Sequence, residues 1–286
     1  MTTSQLDISQ LNASNSPASS AGTRIDSFAQ AALKSSAQFW FLVAVAGQWI
    51  FAYYVVVFYG GSALRGDLAE WNKVLANGII SGDILGNIAV VSHMLLAAII
   101  TIGGPLQLIP QLRSRLPTFH HWNGRIYLFS AFLISIGGLY MVITRGTITG
   151  TIGDISVGFN AVLIIICAFM TVRYAIARNI QTHRRWALRL FLVVSGVWFF
   201  RVGLLLWVVL NNGPVGFDFE TFQGPTLDIL GFAQYLVPLA ILEIYFRAQN
   251  ASSSKKLAMS TSLVILTVAM GIGIFAATMG LWLPNV

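Results

Sequence analysis

Apolar residues fill this chain in long runs, and the polar residues between the runs fall into short, regularly placed clusters. About twenty apolar residues in a helix cross a bilayer. On that measure the pattern predicts about seven spans, at residues 38–59, 85–112, 124–144, 155–177, 186–210, 226–246 and 259–283. Ahead of the first run, residues 1–35 are rich in Ser, Thr, Asn, Gln and Ala. They lack the charged start, short apolar core and cleavage site of a secretory signal. They read as a disordered cytoplasmic tail that turns helical near IDSFAQAA (25–32). The expected fold is all-α: a polytopic integral membrane helix bundle forming one domain over residues 36–286.

Composition closes off the alternatives. The chain has 286 residues, 56% of them hydrophobic and 9% charged, with a mean hydropathy of +0.74. A soluble domain carries about 25% charged residues, and no soluble fold of this length hides so much apolar surface. The net charge of +7 does not point to nucleic acid. Thirteen cations fall in the tail and the even-numbered turns, against three (Arg65, Lys73 and Arg145) on the other side. That alternation puts the N-terminus in the cytoplasm and the C-terminus outside, with membrane lipids as the partner of the basic face. The single cysteine, Cys167, lies in an apolar run and reads as a small core residue.

The connections carry fewer signals. Residues 60–84 contain LAEWNKVLANGI, whose spacing predicts a short amphipathic helix on the outer surface. Residues 211–225, rich in Gly and Pro, read as a connector folded over the bundle mouth. The pairs Gly103–Gly104 and Gly137–Gly138 predict close helix approach. Pro105 and Pro110 predict kinks, with Gln107 or Arg113 placed to satisfy the freed carbonyls.

Chemistry-bearing residues concentrate between His93 and Arg125. The turn after span two (FHHWNGR) and the turn after span four (HRRWALR) echo each other: His120, His121, Trp122 and Arg125 against His183, Trp186 and Arg189. Both lead into spans running outward, so both sets lie at one membrane depth. Three readings are open for them. Neutral imidazoles at equal depth can ligate a haem iron, His183 with His121 or His120, while Arg125 and Arg189 hold the propionates. The same residues can bind lipid headgroups or phosphate, or form a buried network that fixes the helices. Adjacent histidines cannot share one helix face, so one haem is the limit of simple bis-histidine ligation. Glu243, near the same depth, is placed to orient a histidine or to pair with Arg247 one turn on.

A second set lies deeper. His93 and Arg201 sit at matching depths from the outer ends of their spans. An arginine inside an apolar span costs at least about 2.5 kcal/mol and faces the bundle or a water cavity. With Gln234 and Asp228 of span six they make a candidate polar pocket, or Arg201 and Asp228 a structural ion pair. The last span has no lysine for a retinal Schiff base, and no P-loop, HExxH, CxxC or GxSxG motif is present.

The segment HMLLAAIITIGGPLQLIPQLRSRLPTFHHWNGRIYL carries a resemblance. His93, Gly104, Pro105, Gln107, Arg113, His121, Gly124, Arg125 and Tyr127, followed by His183, Arg184, Arg185, Trp186 and Arg201, resemble the bacterial predicted membrane proteins grouped as "domain of unknown function 2306". The resemblance covers a core of about residues 90–205 and leaves the first and last spans outside. It implies a multi-pass protein of the bacterial cytoplasmic (inner) membrane, and its histidines look similar to those of membrane b-type cytochromes. The leading functional expectation is a redox protein: one haem b held by His183 and His120 or His121, and an outer pocket at His93 and Arg201 for a quinone or similar small molecule. The alternative is a non-catalytic membrane protein, a transporter-like binder or an accessory factor, whose His and Arg groups hold lipid or an anionic ligand.

Overall fold

A computed structural model describes residues 17–75 and 77–286, with side chains from Thr23 onward. The described residues are helical, with an isolated bridge between Asp218 and Gln223 as their only β pairing. The long helices are α1 (Pro17–Val55), α2 (Ile84–Leu108), α3 (Pro117–Arg145), α4 (Gly150–Ile176), α5 (Ile180–Val194), α6 (Gly196–Asn211), α7 (Pro225–Ala248) and α8 (Ser253–Ala277). Among the described residues six helical segments are long and apolar enough to cross a membrane, or seven where α5 and α6, bent by 55°, count as one span.

Local chemistry sets the boundaries. Asp83 caps α2 by accepting from the Gly86 N–H at 2.9 Å. Pro110 forces Ile109 into extended backbone (ψ 112°), which ends α2 at Leu108 rather than at residue 112. Pro105 stays inside the helix. Asn179 caps α5 through the Thr182 N–H, after Arg178 turns the chain in a left-handed conformation.

The chain divides into two compact units. The described part of the smaller is residues 17–42 and 243–268. There Asp26 accepts a 2.5 Å hydrogen bond from Ser253, and Ser260 donates to the Ala32 carbonyl at 3.1 Å. The expected tail is therefore helical from Pro17 on, and its first sixteen residues lie outside the described ones.

The larger unit holds residues 43–242 and 269–286. Its centre is a cluster that includes Ile100, Tyr127, Ile164, Cys167, Leu190 and Tyr235, contributed by α2 to α5 and α7. Close approach of α2 and α3 explains Gly103 and Gly104. A Cβ at 103 would stand 2.9 Å from Asn123 Oδ1, and one at 104 would stand 2.9 Å from Tyr127 Cε2. Asn123 donates to the Gly103 carbonyl at 2.9 Å. Gln107 donates to the His120 carbonyl at 3.0 Å, so it ties two helices together rather than mending a kink within one.

The expected fifth span is broken. Ser195 lies outside both α5 and α6, and its hydroxyl donates back to the Phe191 carbonyl at 2.7 Å. Ser-Gly pairs in helices are a usual cause of sharp bends. The expected surface helix in 60–84 is also corrected. LAEWNK forms a 3-10 turn (Leu68–Lys73), and Trp71 is sunk to 2% exposure. Its indole N–H reaches Ser62 Oγ at 2.8 Å and the Tyr59 carbonyl at 3.2 Å.

Arg145, at the far end of α3, gathers the same loop. Its guanidinium donates to Asp83 at 2.6 Å, to Asn87 Oδ1 at 3.0 Å, and to the carbonyls of Asn77 and Gly78. The Arg145 hydrogen bonds, with that of the Gly86 N–H, hold the Asp83 carboxyl below its usual range. The 211–225 connector is pinned by Trp207, which donates to the Val215 carbonyl at 2.9 Å, and by Phe217, buried against Leu204 and Leu227.

Candidate functional site

Two places in the larger unit gather chemistry. The first is the basic end, where α3 and α5 begin. Both arginines of the sequence echo fold back over their own tryptophans: Arg125 lies 5.0 Å from the Trp122 ring centroid and Arg189 lies 4.7 Å from that of Trp186. His121 is exposed, whereas His120 is half-buried with its Nδ1 buried and without a partner. The electrostatic neighbours of His120 are His121, Arg113 and His183. His183 Nδ1 lies 2.9 Å from the Thr171 carbonyl. The group orienting that nitrogen is thus a backbone carbonyl of α4. Among the described residues no three His, Cys, Asp or Glu side chains converge.

The second place is a cavity of about 110 Å³. Gln48, Phe51 and Tyr54 of α1 and Tyr59 beyond it form one wall, and His93, Met94, Ala97 and Thr101 of α2 another. Tyr127 comes from α3, Ser195 from the helix break, and Trp198 and Arg201 from α6. Gln48 donates from Nε2 to Ser195 Oγ at 2.9 Å, so the break is held against α1. His93 packs its ring beside Gly138, where a Cβ would stand 3.7 Å from Cε1.

The polar atoms of this cavity are underused. Gln48 Oε1, His93 Nδ1, the Tyr127 hydroxyl and the Trp198 indole nitrogen are buried without a partner. An unpartnered buried polar group costs about 1–3 kcal/mol. Arg201 is half-buried. It donates to the Val197 carbonyl at 3.3 Å and lies 5.4 Å from the Phe51 ring centroid. Tyr54 and Tyr59 are within its electrostatic range. Among the described residues it forms no ion pair, with Asp228 or any other carboxylate. Donors are plentiful here: the indole N–H and the guanidinium can only donate, and the phenol and the imidazole can donate as well as accept, beside the Gln48 amide oxygen. A guest with acceptor oxygens suits such a lining.

The cavity thus joins His93 with Arg201 but leaves out Asp228 and Gln234. Asp228 sits in the first turn of α7. Gln234 donates to the Gly231 carbonyl of its own helix at 2.7 Å. Gln48, Tyr54 and Trp198 line it without having stood out in the sequence, and Tyr127 stood out only as part of the family-like motif. A glutamine inside an apolar run was the available signal for the first; Tyr54 and Trp198 look like ordinary membrane aromatics.

The family described as "predicted membrane protein (DUF2306)" matches residues 90–246, more than half of the chain. The chain belongs to DUF2306. No curated protein and no solved structure matches it. The DUF2306 segment runs from α2 to near the end of α7, further than the resemblance over about 90–205 implied. It includes His93, Tyr127, Trp198 and Arg201, while Gln48 and Tyr54 come from outside it. Within it Gly104, Gln107, Gly124 and Tyr127 act together as the seam between α2 and α3.

Proposed function

We propose that this DUF2306 protein binds a small, mainly apolar molecule with an acceptor-rich head, of the quinone class, in the cavity between His93 and Arg201. The reading rests on one observation: four buried polar atoms without partners and an arginine without a carboxylate line the same space. Sites for drug-sized ligands measure about 300–1,000 Å³, so this cavity is scaled to a single ring or head group. Arg201 would meet the head's oxygen, with the Trp198 N–H and the Tyr127 hydroxyl beside it. The test is titration of the detergent-purified chain with a short-chain benzoquinone, read by tryptophan fluorescence. A hydrogen bond to a charged group contributes about 1.5–3 kcal/mol, so Arg201→Leu should weaken binding at least about tenfold. His93→Leu should weaken it as well. Absence of saturable binding in the wild type, or equal affinity in both variants, would sink the proposal.

A second reading concerns the basic end. The contact of His183 Nδ1 with the Thr171 carbonyl leaves Nε2 free to accept, which is how ligand histidines are commonly fixed. With the unpartnered His120, which has His183 among its electrostatic neighbours, it would hold one haem b, and a bound haem would supply one-electron transfer. His120 takes the inward role in place of His121. A reduced-minus-oxidised spectrum of haem-replete protein should show a sharp α-band that His183→Ala and His120→Ala abolish; a flat wild-type spectrum rules this reading out.

In either reading the basic end faces the cytoplasm of a bacterial inner membrane, because arginines crowd that end. An impermeant thiol reagent should label a cysteine placed at Ile148 from outside intact cells; labelling only after lysis would reverse the orientation.

A further inference from the structure

Three more buried oxygens stand on the other side of the helix break. Ser156 Oγ, Asn160 Oδ1 and Gln234 Oε1 have no hydrogen-bond partner, and their residues are 1%, 8% and 7% exposed. Ser156 and Asn160 are one turn apart on α4, and Gln234 faces them from α7. Two glycines tie the group together. A Cβ at Gly196, the first residue of α6, would stand 3.0 Å from Asn160 Nδ2 and 3.5 Å from Gln234 Oε1. A Cβ at Gly231 would stand 3.1 Å from Ser156 Oγ. Tyr235, one residue past Gln234, donates to the Ser156 carbonyl at 3.2 Å and locks α7 against α4.

We infer that Ser156, Asn160 and Gln234 form a binding site for a monovalent cation at the break between α5 and α6. The amide oxygens of Asn160 and Gln234 can only accept, and sealed from solvent they need something positive to face, while the Ser156 hydroxyl can turn its proton away and offer a lone pair beside them. Hard oxygen ligands suit alkali cations, and the group contains no carboxylate of the kind divalent ions favour. Broken membrane helices are where such ions bind, since interrupted backbone lies beside the ligands. Ser195, which separates the two helices, is held by Gln48 on the side of the ligand cavity. With the Asn160 amide turned so that its oxygen takes the place of Nδ2 toward Gln234 Oε1, a cation between them would hold the adjoining Gly196 on the other side.

The test is thermal unfolding of the full detergent-purified chain in sodium, potassium or choline chloride at one ionic strength, with equilibrium binding of radioactive sodium on the same sample. At ten times its Kd a bound ion shifts the folding equilibrium about eleven-fold. The expected result is a saturable rise of the midpoint in sodium or potassium over choline, lost in Gln234→Met, which removes the oxygen at similar volume. Arg201→Leu should keep the rise, so failure of the cavity proposal and failure of this one are separable. Should Gln234→Met not fold, saturable binding of about one ion per wild-type chain carries the test. Equal midpoints in all three salts with no saturable sodium binding would overturn the inference and assign the oxygens to water.

Discussion

The two glycine pairs look alike in sequence but should respond oppositely to alanine. At Gly104 a Cβ would stand 2.9 Å from Tyr127 Cε2 and 3.4 Å from Phe191 Cδ2, and both rings belong to buried residues. At Gly137 a Cβ meets nothing within 4 Å. Alanine gains about 1 kcal/mol of helix propensity over glycine at both positions. Overpacking a well-packed site costs about 1–3 kcal/mol, and only Gly104→Ala incurs it. The variants should therefore differ in stability by about 1–3 kcal/mol, with Gly137→Ala neutral or stabilised. At about 2–4 °C per kcal/mol for a chain of this size, thermal unfolding in one detergent separates them by several degrees. Tyr127 and Phe191 also line the ligand cavity, so Gly104→Ala should weaken benzoquinone binding where Gly137→Ala does not. Equal melting shifts in the two variants would refute the seam between α2 and α3.

Other consequences can be checked in the same preparation. Trp71→Ala removes a buried indole and should cost about 3–5 kcal/mol. Trp71→Phe should cost about 1–2 kcal/mol, because it gives up the hydrogen bonds to Ser62 and Tyr59; chemical denaturation measures both. The carboxyls of Asp83 and Asp218 are held below their usual range, by the Arg145 guanidinium and by the N–H groups of Thr221 and Glu220 respectively. A depressed folded-state pKa adds stability that is complete above the unfolded value of about 3.9 and is lost as pH falls through the folded one. Hydrogen exchange of residues 77–87 should therefore be flat between about pH 8 and 5 once corrected for intrinsic rates, and should accelerate only below about pH 4. Asn123→Ala removes the bond to the Gly103 carbonyl and should cost about 0.6 kcal/mol, the usual size of a hydrogen bond between membrane helices; a cost above about 2 kcal/mol would mean that Asn123 does more than join two helices.

Particular residues show how far the sequence reached. Runs of apolar residues mark membrane spans without ambiguity, and the seam residues Gly103, Gly104 and Gln107 were visible as small or polar groups in an apolar helix. Depth was legible too: counting residues from the span ends brought His93 and Arg201 together. Direction around the helix axis was not, because it depends on how each helix is rotated against its neighbours. That is why Gln234 shares a span with candidate pocket groups yet faces Asn160, and why His120, not His121, points inward. The bend at Ser195–Gly196 was hidden because an apolar run on both sides of a Ser-Gly pair reads as one continuous span. Trp71 misled because a 3-10 turn and an amphipathic helix share a similar short-range spacing, and the long-range hydrogen bonds that decide between them have no local signature.

The pairing of Arg145 with Asp83 has an electrical side. At that end of the larger unit, Arg65 and Lys73 are likewise held by Glu70, at 2.8 and 3.3 Å. Each cation there is ion-paired, Arg65 and Lys73 to the same carboxylate, and with Asp67, Asp154, Asp218, Glu220 and Asp228 the acids of that end outnumber its cations. The opposite end presents eight arginines, from Arg113 to Arg189. The folded unit is thus a fixed dipole lying along the helices. A potential of 100 mV across a membrane acts on each elementary charge with about 2.3 kcal/mol. An energised bilayer, negative inside, would pull steadily on this dipole in the sense that keeps the arginines on the inner face.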